Sequence, residues 1–460
     1  YTTLFRSSSF QVMDVFVIAS LVVLVSNAYT KHFTFHDLLS IIDEIYVPDE
    51  KSAHIITGQL IIGILFGSKA MSPEFWEERD EYVSKYLKRI LNEDLSPDNQ
   101  GIWHVFAAFL PGHVDVRRFP KVIDVILNFQ LDPNSDSAFK DSTRIAYMRG
   151  AIGSISWRLG NSDKFLEFCM QNINNRYAAV RSQIGNLMAV LSFNYYVESI
   201  SDSKTFIENC NKKEGLMLYD GRDKCKIVTI IPELFAQIEN WRKECQHLTP
   251  QGILKTNYIY TATTVLIWIR QELNTNLSIM FEFYVCLHIV PFLLELIYLR
   301  EVCQLGNIDP ITVLKKVSQI PYTTDYLENV ISMLEHYAEK ELNLVQTLVM
   351  GEFTETVYFK NLFKLTRTQR ERVFNLSNKL LNHKHAEIRV SAAETLSGLI
   401  HISPVEEVEG LVEKYSDLYS KQLDKVRKKY RKTGYKNMEN DDIIKLHGAT
   451  LGLEIGRAHV

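Results

Sequence analysis

Four sets of side chains have residue types that chemistry could use. His383-Lys384-His385 places two imidazoles two positions apart, the beginning of a metal site. A zinc site needs more ligands, and no Cys or carboxylate stands at ligand spacing, so the pair reads as a solvated turn. Gly58, Gly63 and Gly67 precede Ser68-Lys69, the residue types of a phosphate cradle, but their order and spacing are wrong for one. Glycines at a close helix contact account for them. Cysteines at 169, 210, 225, 245, 286 and 303 include no Cys-x-x-Cys pair, which fits buried thiols in a reducing compartment. The fourth set is basic: Lys421, Lys425, Arg427, Lys428, Lys429, Arg431, Lys432 and Lys436, against Asp424 alone. Charges so dense resist burial, so residues 421–436 are expected at an exposed helix end or loop. The stretch is either a solvated face or a polyanion or nuclear-import cluster built on Lys425, Arg427, Lys428, Lys429, Arg431 and Lys432. Only Tyr430 and Tyr435 accompany it, which argues against a single-strand nucleic-acid groove. No serine elbow, triad or convergent carboxylate pair is evident, and the chain reads as non-enzymatic.

The elements that would carry these residues are helices. Ser72-Pro73, Ser96-Pro97, Thr249-Pro250, Asp309-Pro310 and Ser403-Pro404 each put a capping side chain before a proline, the signature of a helix start. Glu406, three residues after Ser403, adds a predicted capping box. Pro111, Pro120, Pro232 and Pro321 are expected to end or separate helices. Phe75, Val83, Tyr86 and Ile90 share one helical face, as do Ile102, Phe106 and Phe109. The nearest approach to a strand is Ile227–Ile231. Loops are expected at Asp132–Ser137 and over about 198–226. A net charge of −4 gives no general attraction to nucleic acid or anionic membrane. The apolar runs Val15–Val25 and Ile279–Leu299 read as core helices, not membrane spans: the first is too short and the second carries Glu282, His288, Pro291 and Glu295.

The most informative stretch is Leu380–Ile400. A polar turn is followed by Ile388, Ala392, Leu396 and Leu399 at helical spacing, with Ala393 and Gly398 beside them and Arg389 after the first apolar residue. That is the second helix of a HEAT-type hairpin, in which small residues let neighbouring helices approach. Asn174–Leu191 repeats the pattern around Arg181. The two arginines lie 208 positions apart, close to five units of about 42. Arg181 and Arg389, like Ala392, Ala393 and Leu396, are structural repeat positions, the arginines bonding to acidic or carbonyl groups of the neighbouring repeat. One repeat implies others, because a hairpin cannot bury its core alone. The fold class is therefore all-α, a HEAT/armadillo-like superhelix, that is, a curved solenoid of helical hairpins.

Tyr1–Ser7 and Glu454–Val460 look like translated sequencing adapters, which leaves residues 8–453 as an internal fragment carrying the solenoid. Within it, Ile61–Lys69, Tyr177–Leu191, Phe359–Phe363, and Glu387–Ile400 followed by Leu446–Leu453 occur in the order in which similar segments occur in one family. By this ordered set the chain resembles the C-terminal part of the large Blm-type HEAT-repeat proteasome activators. The resemblance implies a dome that caps the α ring of the 20S proteasome. It would promote ATP-independent degradation of peptides and unfolded proteins without a catalytic site of its own, in nucleus and cytoplasm. The family opens the proteasome gate with a C-terminal tail that has no counterpart before the adapter. The resemblance implies no cofactor, although full-length members hold inositol phosphates in basic openings. A different HEAT scaffold, such as a nuclear-transport adaptor, is the alternative.

Overall fold

A computed structural model of the chain describes residues 17, 19–21, 23–24, 35–67, 74–113, 118–132, 135–155, 162–199, 226–245, 253–274, 284–297, 308–401, 403–432 and 434–458. Among them, all regular structure is helical, and no helix is long and apolar enough to cross a membrane. The chain divides into two compact units, Tyr1–Gln271 and Glu272–Val460.

The first unit contains α1 (Phe35–Ile45), α2 (Lys51–Gly67), α3 (Glu74–Asn92), α4 (Gln100–His113), α5 (Pro120–Leu127), α6 (Ala138–Ile155), α7 (Ser162–Gln171), α8 (Ala178–Ser199), α9 (Lys226–Cys245) and α10 (Ile253–Glu272). Its even-numbered helices stack in sequence, α2 on α4, α4 on α6 and α6 on α8, while α3 packs on α5. In the second unit a π-helical turn, Val285–Ile289, leads into α11 (Val290–Leu296). There follow α12 (Pro310–Ser318), α13 (Thr324–Glu339), α14 (Leu344–Asn361), α15 (Arg367–Leu380), α16 (Ala386–His401), α17 (Val405–Tyr430) and α18 (Asn440–Ala458). Here α12, α14, α16 and α18 stack in turn, and α13 packs on α15. Each unit is thus an all-α stack of helical hairpins, the architecture expected of HEAT-like repeats.

Side-chain bonds carry the same period. Tyr46 Oη reaches Asp94, 48 residues away, at 2.6 Å. Tyr147 Oη donates to Gln100 O 47 residues back, and Tyr177 Oη to Ser135 O 42 back. Lys364 Nζ reaches Tyr322 O across 42 residues, and Arg372 Nε reaches Glu335 across 37. One repeat length separates each pair, so these bonds tie layer to layer. The buried His54 does so through Nδ1, which accepts from Trp103 Nε1 at 3.1 Å, while its Nε2 bonds Pro48 O at 2.8 Å in the turn before its own helix.

The core matches the helical faces read from the sequence except at Phe75 and Phe109, which are only half-buried. Val83, Tyr86, Ile90, Ile102 and Phe106 are buried, as are Ile388, Ala392, Ala393, Leu396 and Leu399. Glycines sit where helices touch: a Cβ on Gly63 would meet Leu21 at 2.7 Å, and one on Gly185 would meet the Thr264 carbonyl at 2.8 Å.

Several local expectations need correction. Ser96-Pro97 lies in a turn before α4, and Asn99, whose Oδ1 accepts the Ser96 N–H at 2.9 Å, organises that start instead. The Ser403 box does not form; Ser403 Oγ turns back to Leu399 O at 3.1 Å. Boxes form instead at Asn343/Gln346 and Thr366/Gln369, where Gln takes the place of Glu. Asp309 caps α12 as predicted, while Ser72-Pro73 and Thr249-Pro250 lie outside the described residues. Pro321 separates α12 from α13, but Pro111 lies in the last turn of α4, Pro120 opens α5 and Pro232 sits inside α9. Ile227–Ile231 is helical, held by its place in α9. Among the described residues of the apolar run near the start, Val17, Val23 and Leu24 are exposed rather than core, while Leu21 lies beside Gly63 of α2. The described part of 279–299 is core along one side, where Val285, Ile289, Val290 and Leu293 are buried, while Leu287 is exposed. Loop residues 200–225 and segment 1–7 lie outside the described residues. At the other end α18 continues past 453, and Ile455 is buried.

Candidate functional site

Arg181 and Arg389 sit in the first turn of α8 and of α16, each the second helix of its hairpin. Each turns back under its own hairpin turn. Arg181 Nη1 donates to Asn175 O at 2.8 Å and to Arg176 O at 2.9 Å. Arg389 Nη1 donates to His383 O at 2.5 Å and Lys384 O at 3.1 Å. The offsets, six and five residues, are identical in both. The expectation that these arginines bond acids or carbonyls of the next repeat is thereby corrected: the free carbonyls of a tight turn lie closer. What the next repeat supplies is a ring. The Arg181 guanidinium lies 4.3 Å from the centre of Tyr260 on α10, and Arg389 Nε donates to His447 Nδ1 on α18 at 2.8 Å.

The basic run forms the end of α17, a 26-residue helix, and the turn after it. Helical spacing sorts its charges. Val426 and Tyr430 are buried, and Lys425 and Lys429 flank them. Lys425 reaches Asp442 on α18 at 3.2 Å, and Lys429 reaches both Asp442 and Glu439 at 2.8 Å. The Tyr430 hydroxyl also donates to Asp442 at 2.8 Å. Hydrogen bonds from Lys429 and Tyr430 hold the Asp442 carboxyl far below the usual carboxylate range, and the same contact raises Lys429. Arg427, Lys428, Arg431 and Lys432 are exposed. At i, i+1, i+4 and i+5 they share the outward side of the helix end. The six residues singled out from sequence therefore split into two that clamp α17 to α18 and four that face solvent.

Other features are less specialised. A groove of about 1150 Å³ between α3, α5 and α6 is lined by Lys85, Lys88, Lys121, Lys140 and Arg144. Lys121 is paired with Glu77 and Glu81, Lys140 donates to Glu93 O, and Arg144 donates to Val125 O and lies against Phe129. Burial pulls Arg144 down to about 10. Phe363, in the turn after α14, is fully exposed. Burial raises the Cys169 thiol far above its ordinary range, so it is no nucleophile. Among the described residues no group of three or more His, Cys, Asp or Glu is placed to hold a metal; His383 and His385 lie with ring centres 5.5 Å apart in the turn before α16. Sequence reasoning missed Tyr260, Asp442 and His447. Asp442 carried a signal, as one of three acids (Glu439, Asp441, Asp442) close behind a long basic run; the two rings lie at different distances along the chain from their arginines, so periodicity could not mark them.

No protein-family profile matches the chain. It is 28% identical over 440 residues to Proteasome activator BLM10 of Saccharomyces cerevisiae, which covers 94% of this chain and 20% of that protein. It is 20% identical over 417 residues to Proteasome activator complex subunit 4 of Xenopus laevis, covering 90% of this chain and 22% of that one. The chain spans about a fifth of the length of the curated relatives it matches. The resemblance to the Blm-type activators read from ordered motifs therefore extends along nearly the whole chain.

Proposed function

We propose that this chain is part of an ATP-independent activator that caps the 20S proteasome and acts as a scaffold without chemistry of its own. The supporting observation is similarity to two proteins named as proteasome activators, collinear over at least nine-tenths of the chain. The stacked hairpins agree with it, because a repeat array offers a long surface of helix ends and turns for docking. On this reading the array contacts the α ring, and the proteasome's own sites cleave the peptides and unfolded proteins admitted. The four solvent-facing bases at the end of α17 and in the turn after it serve nuclear import or a polyanion, giving a nuclear and cytoplasmic distribution.

The test is co-sedimentation of the gene product carrying this chain with purified 20S proteasome at low salt, with fluorogenic peptide hydrolysis measured without ATP. Co-migration and faster hydrolysis are expected. Failure to co-sediment would overturn the reading.

A further inference from the structure

We propose that Arg389 and His447 form an acid-sensitive latch, which docks α18 on α16 while His447 is neutral and releases it when the imidazole takes up a proton. This inference stands independently of the partner proposed above.

The argument begins with the direction of one hydrogen bond. Arg389 Nε carries a hydrogen at any physiological pH and can only donate. His447 Nδ1, 2.8 Å away, must therefore accept, and an imidazole nitrogen accepts only when it carries no proton. Protonation turns both ring nitrogens into donors. The contact then becomes two donors and two positive charges at hydrogen-bond distance, with Arg389 itself only 5% exposed. The guanidinium cannot swing away, because its Nη1 is held by the His383 and Lys384 carbonyls.

The surroundings reinforce the switch. The turn that cradles Arg389 contributes Lys384 and two more histidines, and His383 Nδ1 accepts the His385 backbone N–H at 3.3 Å, again a bond that needs a neutral ring. Lys384 lies 3.9 Å from Glu341 at the end of the previous layer. From α17, Lys425, Lys429 and Tyr430 engage Asp442, one and a half turns before His447, and Tyr415 lies against Gly452 and bonds Asn378 on α15. On α18 itself Lys445 pairs with Asp441. Glu439, Asp441 and Asp442 are thus already engaged by other bases, whereas the group facing His447 is a cation. Burial first, and then the Arg389 charge, lower the His447 pKa; burial and its basic neighbours lower that of His383.

The sign follows. A histidine whose pKa is lower docked than free contributes stability that is fully present above its free value, about 6.5. That stability is lost as pH falls below it. Release is coupled to the whole helix, because Gly448, next to His447, lets the α18 backbone lie directly against the Leu381 carbonyl. With no slack between the backbones, the strained pair separates only if α18 moves.

Amide hydrogen exchange of the whole chain, corrected for intrinsic rates, tests the latch at about pH 7.5 and about pH 5. Exchange in α18 should rise severalfold on acidification, because the docked helix loses stability as the imidazole takes up its proton. Helix α8, where Arg181 faces Tyr260, should change far less. In His447→Asn, whose Oδ1 can accept from Arg389 without titrating, α18 should stay protected at both values. Unchanged exchange of α18 in the wild type, an equal loss in α8, or a loss in His447→Asn as large as in the wild type would each overturn the proposal. Should the variant fail to dock α18 at either pH, the NMR titration of His447 in the wild type decides. A pKa below about 6.5 supports the latch, and one at or above it refutes it.

Discussion

The Arg181 and Arg389 hairpins solve one problem in one way and then diverge. In each, a buried arginine closes the turn that precedes its helix by binding the carbonyls five and six residues back. Those carbonyls are partly shielded from water, and an unsatisfied buried group costs about 1–3 kcal/mol. The divergence lies in the ring that covers the guanidinium from the next layer. Tyr260 offers a π face, an attraction that needs no particular protonation state near neutral pH. His447 offers a lone pair, which a single proton removes. The repeat fixes the internal closure and leaves the covering residue free, so two layers of one design can differ in their response to acid.

The largest expected effect tests the shared half of the comparison. Arg181→Met and Arg389→Met should each lose about 3 kcal/mol, two charged hydrogen bonds being removed and two partly buried carbonyls left without that donor. Denaturant titration gives the values, and a loss below about 1 kcal/mol in either would break the equivalence. Gly185→Ala and Gly448→Ala come next, since a new Cβ would press on the Thr264 and Leu381 carbonyls. A loss of about 1–3 kcal/mol is expected, read as a drop in melting temperature. Ala393→Leu, buried in the Arg389 helix, belongs to the same range. Tyr260→Phe sharpens the divergent half: the face that meets Arg181 remains, so stability should fall by less than about 1 kcal/mol and gain no acid dependence between about pH 7.5 and 5. Phe363→Ser should change stability by no more than about 0.5 kcal/mol, because the side chain is fully exposed.

The repeat pattern was legible in residues 380–400 because a polar turn, an arginine and small residues at helical spacing occur together there. Asp309-Pro310 was legible because its cap is local. Ser403-Pro404 misled for the opposite reason: the hydroxyl had a helical carbonyl within reach, and nearby Leu399 O competes with the next turn for it. The basic end of α17 was readable as exposed, but not as divided, since the partner Asp442 lies across a turn and in a different helix. Tyr260 and His447 were invisible because the residue that covers an arginine is chosen by the packing of a later layer.

The side-chain ties that span about one repeat also set how damage spreads. Each runs to an adjacent layer, as Tyr177 to Ser135 and Lys364 to Tyr322 do. Loss of one such tie would therefore loosen the two layers it joins, while the hairpins beyond keep their own fastenings.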